Sequence, residues 1–465
     1  MPLQIASVGT HPEGESKSAL ISPPTVLPDR LAVDTPGGRV HVEWDPQAPV
    51  TPMGQLVFFA QFLHISGRFE SWVGDCPWAY TSPNAPQVRD VLGTLMLSVL
   101  AGHHRYAHMN GLRGDTLNPP LLNLKRVASE DSVRQALKRS QGDDTLTAQV
   151  ATWLQGHLHQ SYAPLLSVPW ILDIDATIKP IYGHQQGAEI GYNPHKPGRP
   201  SHVYHSYLMG AARLVLDVEV QPGKQTAAHH AFPGLWRLVD GLPPTSRPWL
   251  LRGDCHFGNE RVLSEAESRR QAYVFKLRLT RKPKELIRLL EREGHWVDAG
   301  KGWEGRESEL KLQGWSRARR VIVLRRRVDQ AMPSSRALLS EGARPLLLPW
   351  PELAQLADTP AYQYAVLVTP LSEPILTLAQ LYRDRGDAEN NFDELKNQWG
   401  WAGFTTQDLL RCQIMARIIA LVYNWWSLFV RLAEADSGLR LKPSPAARCS
   451  CRLWRGAPAT QYRPP

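Results

Sequence analysis

The order of strand-like and helix-like segments between residues 168 and 279 constrains this chain most. Pro169–Thr177 alternates like a strand, and His205–Ala211 and Arg213–Val220 read as two more joined by a tight turn. Thr226–Leu238 has helical character, with Pro233-Gly234 inside it. Pro248–Asp254 is an apolar strand ending in polar residues. Asn259–Arg269 reads as a helix and Ala272–Leu279 as a further strand. Three strands followed by helix, strand, helix, strand imply an α/β layer with a mixed sheet. With 465 residues and 43% hydrophobic side chains, the chain has material for a sizeable core.

The flanking regions follow other patterns. Residues 1–165 are expected to form a mostly helical region with a poorly ordered start, since residues 1–55 are rich in Pro and Gly. Helical periodicity occurs at Met53–Phe62, Val88–Ala101 and Thr147–His157. Ser129 is placed to cap a helix running to Arg139, without a full capping box. That helix has the form of the second element of a helix-turn-helix, with Arg134 and Lys138 turned toward DNA phosphates; an ordinary surface helix is the plain alternative. Residues 166–279 would make the first part of the α/β core and 280–368 a β-rich insert. The insert has a short helix at Pro283–Glu293, then strands at Trp296–Ala299, Glu309–Gly314, Arg320–Val328 and Tyr362–Thr369. Residues 369–435 would complete the core with two long helices, Leu376–Trp399 and the very apolar Leu409–Ala433, and 436–465 would be a basic, flexible tail.

The net charge of +9 is concentrated. Residues 261–330 hold 19 basic and 10 acidic side chains, and residues 437–465 hold six basic and none acidic. Residues 1–165 are slightly acidic. Such a distribution suits a polyanion such as nucleic acid, or else a solvated basic face.

Three acids stand out by position. Asp175 is on the first core strand, Asp254 ends a later one, and Glu389 is in a long helix. Carboxylates offered from strand ends and a neighbouring helix can converge on divalent ions, and hard oxygen ligands suit Mg2+. Two such ions can drive phosphoryl transfer. Tyr382, Arg385, Glu389 and Lys396 are spaced by 3, 4 and 7 residues. At about 100° per residue they share an arc of roughly 60° on a straight helix. A solvated helix held by an Arg385–Glu389 ion pair has the same spacing.

The run Tyr382-x2-Arg385-x3-Glu389-x6-Lys396 resembles the signature of DDE transposases from bacterial insertion sequences. Asp175-Ala-Thr177 resembles the first-Asp motif of that group, and Arg252-Gly-Asp254-Cys-His-Phe257 the second. The gaps of 79 and 135 residues suit the family, whose longer gap holds a β-strand insert. The resemblance covers roughly residues 85–435 and implies an RNase H-like catalytic core with a mixed five-stranded sheet. It implies Asp175, Asp254 and Glu389 as catalytic metal ligands for two Mg2+ ions, with Mn2+ able to substitute. Tyr382, Arg385 and Lys396 would contact DNA phosphates. The implied reaction is strand cleavage at a transposon end, then attack of the freed 3′-hydroxyl on target DNA. Implied partners are double-stranded DNA, as terminal inverted repeats and as target, and a second copy of the chain on the paired ends. A tryptophan of the insert (Trp296, Trp303 or Trp315) is a candidate to stack on an unpaired base. A catalytically silent DNA-binding derivative and a stand-alone metal-dependent nuclease are the alternatives.

The residue after Asp254 is Cys255, where a small polar residue is the usual choice, and His256 follows, either tuning the site beside a metal ligand or, as the plainer reading, packed or solvent-facing. Asp173 shares a strand face with Asp175 and is either a secondary ligand or a polar neighbour. Cys449-Ser-Cys451 lacks a second pair at zinc spacing, and five scattered cysteines make no disulfide framework. No apolar run reaches the ~18 residues of a membrane span, and no secretory signal is evident. The expectation is a cytoplasmic, nucleoid-associated protein with no membrane partner.

Overall fold

Ten strands join edge to edge in one sheet that carries Asp175 and leads into Asp254. The computed structural model describes residues 31–42, 44–45, 53–80, 82–115, 117–193, 196–225, 227–328, 361–433 and 459–460. The chain divides into two units. The first comprises Met1–Tyr162, Gly183–Gln186 and Phe392–Pro465; the second comprises Ala163–Tyr182 and Gly187–Asn391. The expected tail, including Cys449 and Cys451, lies outside the described residues apart from 459–460.

In the first unit, β1 (Leu31–Thr35) and β2 (Gly38–Val42) form an antiparallel hairpin within the Pro/Gly-rich start. The short β3 (Trp44–Asp45) pairs with β14 (Ala459–Thr460). Helices α1 (Leu56–Ser66), α2 (Arg68–Gly74), α3 (Val88–Leu100), α4 (Asn118–Leu121), α5 (Glu130–Arg139) and α6 (Asp144–Tyr162) follow. Ser129 caps α5 as expected, its Oγ accepting from the Ser132 N–H at 3.2 Å. The C-terminal helix α12 (Leu409–Ala433) packs against α6 and α3. Indoles dominate this core. Trp72 stacks on Trp153 at 5.7 Å and meets Trp425 edge-on at 5.5 Å. By length and composition α12 could cross a membrane, contrary to the sequence expectation. Its most apolar window is 78% buried in protein, which makes it a core helix.

The second unit is built on the sheet. Its core strands are β4 (Ile171–Pro180), β5 (Glu189–Ile190), β6 (Pro200–Met209), β7 (Leu214–Pro222), β8 (Leu250–Gly253) and β9 (Ala272–Lys276). Setting aside the two-residue β5, they lie in the order β7-β6-β4-β8-β9. β4, β6 and β7 are antiparallel neighbours, whereas β4, β8 and β9 run parallel. This mixed order, with the first strand in the middle, is RNase H-like. β9 is apolar from Ala272 to Phe275, whereas β4 places Asp173 and Asp175 among apolar residues and β8 carries Arg252. α7 (Ala227–Asp240) and α8 (Glu260–Ser268) connect β7, β8 and β9.

After α9 (Arg281–Glu293), the insert adds β10 (Val297–Gly300), β11 (Trp303–Leu310), β12 (Arg319–Val328) and β13 (Ala361–Val368) as an antiparallel ribbon. β13 pairs with β9 through Leu367↔Lys276 and Val368↔Phe275, so the insert extends the core sheet. One hydrophobic cluster spans the joint, with Leu250 and Val274 from core strands, Ile322 and Leu367 from the ribbon, and Leu378 and Ala379 from α10 (Ile375–Arg383).

Two elements differ from the sequence reading. The expected strand Glu309–Gly314 is instead β11, and Gly314 sits at φ 85° in a turn. β11 hides its period because it carries charge on both faces: Glu304 on one and Glu307 on the other meet Arg325 and Arg320 of β12. The expected helix Leu376–Trp399 breaks at Asp384 into α10 and α11 (Arg385–Asn397). Gly386 stands in the first turn of α11, where it weakens helix continuity.

Those ion pairs also bear on the basic segment. Arg319 binds Glu260 and Glu267, Arg325 binds Glu291 and Glu304, and Arg306 binds Glu293. Three of the segment's arginines are therefore engaged in joining strands to helices. Trp315 is buried beneath Arg319, Trp296 lies 4.2 Å from the Arg325 guanidinium, and Arg326 covers Trp303 at 5.1 Å.

Candidate active site where two parallel strands part

β4 and β8 are in parallel register, Asp173 opposite Arg252 and Ile174 opposite Gly253. The next residues are Asp175 and Asp254. Neighbouring strands lie about 4.8 Å apart, so Asp175, still within β4, and Asp254, one residue past the end of β8, stand side by side where the two strands part. Asp175 Oδ1 accepts from the Ala176 N–H at 2.8 Å. Asp254 is held in a tight turn: the His256 N–H donates to Oδ1 at 2.9 Å, and His256 Nδ1 lies 2.7 Å from Oδ2. His256 is thus neither simply packed nor solvent-facing, because it grips both oxygens of one acid.

The third acid arrives on α11. Arg385 opens this helix, is 3% exposed, and hydrogen-bonds Glu389 one turn on. The same guanidinium reaches Asp175 Oδ2 at 3.7 Å. Tyr382, at the end of α10, packs against the sheet cluster.

The charges of these groups register on one another. Burial raises the Asp175 carboxyl above its ordinary value; Arg385 opposes the rise, while Asp254 and Glu389 add to it. Asp254 also feels burial, but the hydrogen bond and charge of His256, with help from Arg385, hold it below the usual carboxylate value. Burial pushes the Tyr382 phenol well up, with the negative charges of Glu389 and Asp254 adding to it. Arg385 is raised despite its burial, because Asp175, Tyr382, Glu389 and Asp254 all favour its charged form.

The structure therefore brings together Asp175, Asp254, Glu389, Arg385 and Tyr382, all in the second unit. Lys396 lies further along α11, beyond residue 391 and in the first unit. In that unit Arg134 is half-buried, bonded to Glu130 at 2.8 Å and resting on Tyr106, while Lys138 is exposed. The break at Asp384 means that Tyr382 and the α11 residues do not share one straight helical face.

The donor set fits a hard divalent cation, since three carboxylates supply oxygen ligands. The buried Ser206 hydroxyl, directly across from Asp175 on β6, has no hydrogen-bond partner among the described residues and leaves a further oxygen near the cluster. Cys255 and His256 also have ligand atoms within 4.8 Å of an Asp254 oxygen, a softer set.

Sequence reasoning missed Arg252 and left Asp173 open. Asp173 is no free ligand. Its carboxylate is fully buried in a two-pronged pair with Arg252, at 2.6 and 2.8 Å.

The sheet order places the chain in the RNase H-like class of mixed α/β proteins. The model of the family "Transposase DDE domain group 1" matches residues 80–441, and the chain belongs to that family. No curated protein matches the sequence. Among solved structures, the chain is similar to the piggyBac transposase synaptic complex with hairpin DNA. That match has a TM-score of 0.44 and 10% identity, covering 88% of this chain and 80% of that one.

Proposed function

We propose that this protein is a DNA transposase of the cut-and-paste type, cleaving the ends of its element and joining the freed 3′-hydroxyl to target DNA. The observation that carries the reading is the gathering of Asp175 and Glu389 on one guanidinium, with Asp254 on the adjacent parallel strand, in a transposase-family chain.

In this reading Asp175, Asp254 and Glu389 hold the divalent cations, two Mg2+ or Mn2+ ions. When bound, these would activate the attacking oxygen and offset charge at the scissile phosphate. His256 keeps Asp254 ionised and fixes its orientation. Arg385 balances the acids and offers a cation to the phosphate beside the scissile bond, with Tyr382 packed behind it. Lys396, Arg134 and Lys138 contribute further phosphate contacts, which set register on the duplex without reading sequence. The partners are the terminal inverted repeats, the target DNA and a second copy of the chain.

The test uses purified protein, Mg2+ and a labelled duplex carrying the repeat that flanks the coding region. The protein should nick the end and produce strand-transfer products on a plasmid, and Glu389→Gln should do neither. Nicking without joining would favour a stand-alone nuclease. Equal cutting by the variant would defeat the assignment of the acid.

A further inference from the structure

One buried guanidinium ties the two strands that lead to Asp175 and Asp254 to the end of α10, the helix just before the one that carries Glu389. Arg252 lies two residues before Asp254, and Asp173 lies two residues before Asp175; the two face each other in parallel register. Side chains repeat every two residues along a strand, so Asp173 shares a face of β4 with Asp175. Arg252 Nε meets Asp173 Oδ1 at 2.6 Å, and one terminal nitrogen meets Oδ2 at 2.8 Å. The other terminal nitrogen donates to the Leu381 carbonyl at 2.5 Å, at the end of α10 and one residue before Tyr382. Asp173 is 0% and Arg252 2% exposed.

A second tie grips α11 beside Glu389. The Gly210 backbone hydrogen-bonds the Asp173 carboxylate, and its carbonyl accepts from Asn391 Nδ2 at 3.2 Å. A Cβ at Gly210 would lie 2.5 Å from Asp173 Oδ2 and 3.0 Å from the Ala388 Cβ, so only glycine lets strand, carboxylate and helix approach this closely.

A buried ion pair is a poor source of stability, because desolvation offsets its attraction and apolar side chains of similar size often replace it at little cost. Apolar packing cannot reproduce direction. A planar guanidinium that spans both carboxylate oxygens and a carbonyl fixes the relative height of two strands and a helix. We propose that Asp173 and Arg252 are positioning residues that set the spacing of Asp175, Asp254 and Glu389. This rests on the reading of those three acids as the metal-holding set.

The test compares the full-length parent with Arg252→Lys, with the apolar double variant Asp173→Leu/Arg252→Met, and with Asp175→Asn. Each is measured for thermal melting, binding of a labelled cognate end, Mn2+ affinity by electron paramagnetic resonance without DNA, and single-turnover nicking. Arg252→Lys keeps the charge but cannot span all three acceptors, and the double variant removes the buried charges altogether. Both are expected to melt cooperatively and bind the end like the parent. Mn2+ affinity should fall about 10–100-fold, as when the supports of a metal ligand are removed. Nicking should fall at least about tenfold, and raised Mn2+ should partly restore it in Arg252→Lys.

Parental Mn2+ affinity in both variants would overturn the proposal, as would a nicking loss that merely tracks the unfolded fraction. If Asp175→Asn binds Mn2+ like the parent, the metal-holding reading itself is wrong and the proposal falls with it. If the parent nicks no DNA, the transposase reading fails, while the Mn2+ comparison still decides the positioning claim.

Discussion

Arg385 places its guanidinium 3.7 Å from Asp175 while hydrogen-bonded to Glu389, so one buried cation serves an acid on a strand and an acid on a helix. Removing it should leave the carboxylates uncompensated. Loss of one partner from a buried charge cluster costs roughly 3–5 kcal/mol. Arg385→Met is expected to melt well below the parent in EDTA and to gain more than the parent from saturating Mg2+, since a ligand that binds only the folded state stabilises it. Calorimetry with and without Mg2+ measures both increments; equal increments would show that Arg385 does not balance these acids.

Asp175 should show opposite effects on stability and activity. Burial, with the charges of Asp254 and Glu389, raises its folded-state value above the ordinary 3.8. A raised carboxyl favours folding below its unfolded value, and that contribution is lost as pH climbs through the folded one. Without metal at neutral pH, Asp175→Asn is therefore expected to melt a few degrees higher than the parent. Its nicking rate should fall by about 10²–10³-fold, the scale for losing an electrostatic group in a preorganised site. A variant both less stable and less active would contradict the sign of this argument.

The joint between insert and core should be acid-sensitive. The hydrogen bond from Arg319 holds Glu260 down at about 2, and Arg319 also binds Glu267 at 2.7 Å. A depressed carboxyl contributes stability above its unfolded value, here 4.5, and loses it as pH falls toward about 2. Melting temperatures of the parent should drop across that window. Arg319→Met should start lower and show a shallower acid limb, read by circular dichroism at stepped pH.

Gly305 of β11 marks where α10 presses onto the sheet. A Cβ there would stand 2.4 Å from Ile375 Cγ2 and 3.0 Å from Leu324 Cδ2. Gly305→Ala should therefore overpack the joint and cost about 1–3 kcal/mol. Adding Ile375→Val should recover part of the loss, because residues in contact do not behave additively. Denaturant midpoints of the single and double variants measure the recovery.

Local signals made much of this molecule legible. The apolar runs around Ile171 and Leu250 and the unbroken periodicity from Leu409 to Ala433 were readable because strand and helix periods are written in a dozen neighbouring residues. The candidate acids were readable because Asp175 lies within such a strand, Asp254 follows one, and Glu389 stands in a motif of fixed short spacing. β11 was not, since Glu304 and Glu307 put charge on both of its faces and their partners lie 21 and 13 residues away on β12. The break at Asp384 likewise escaped a straight-helix reading.

The Asp173–Arg252 pair spans 79 residues, and its third contact, the Leu381 carbonyl, lies 129 residues beyond Arg252. No local window holds all three. A buried charge announces its partner only when the backbone has brought both out of water together. Periodicity and composition could name the strands, the helices and the acids, whereas strand register and helix docking chose which charges would meet.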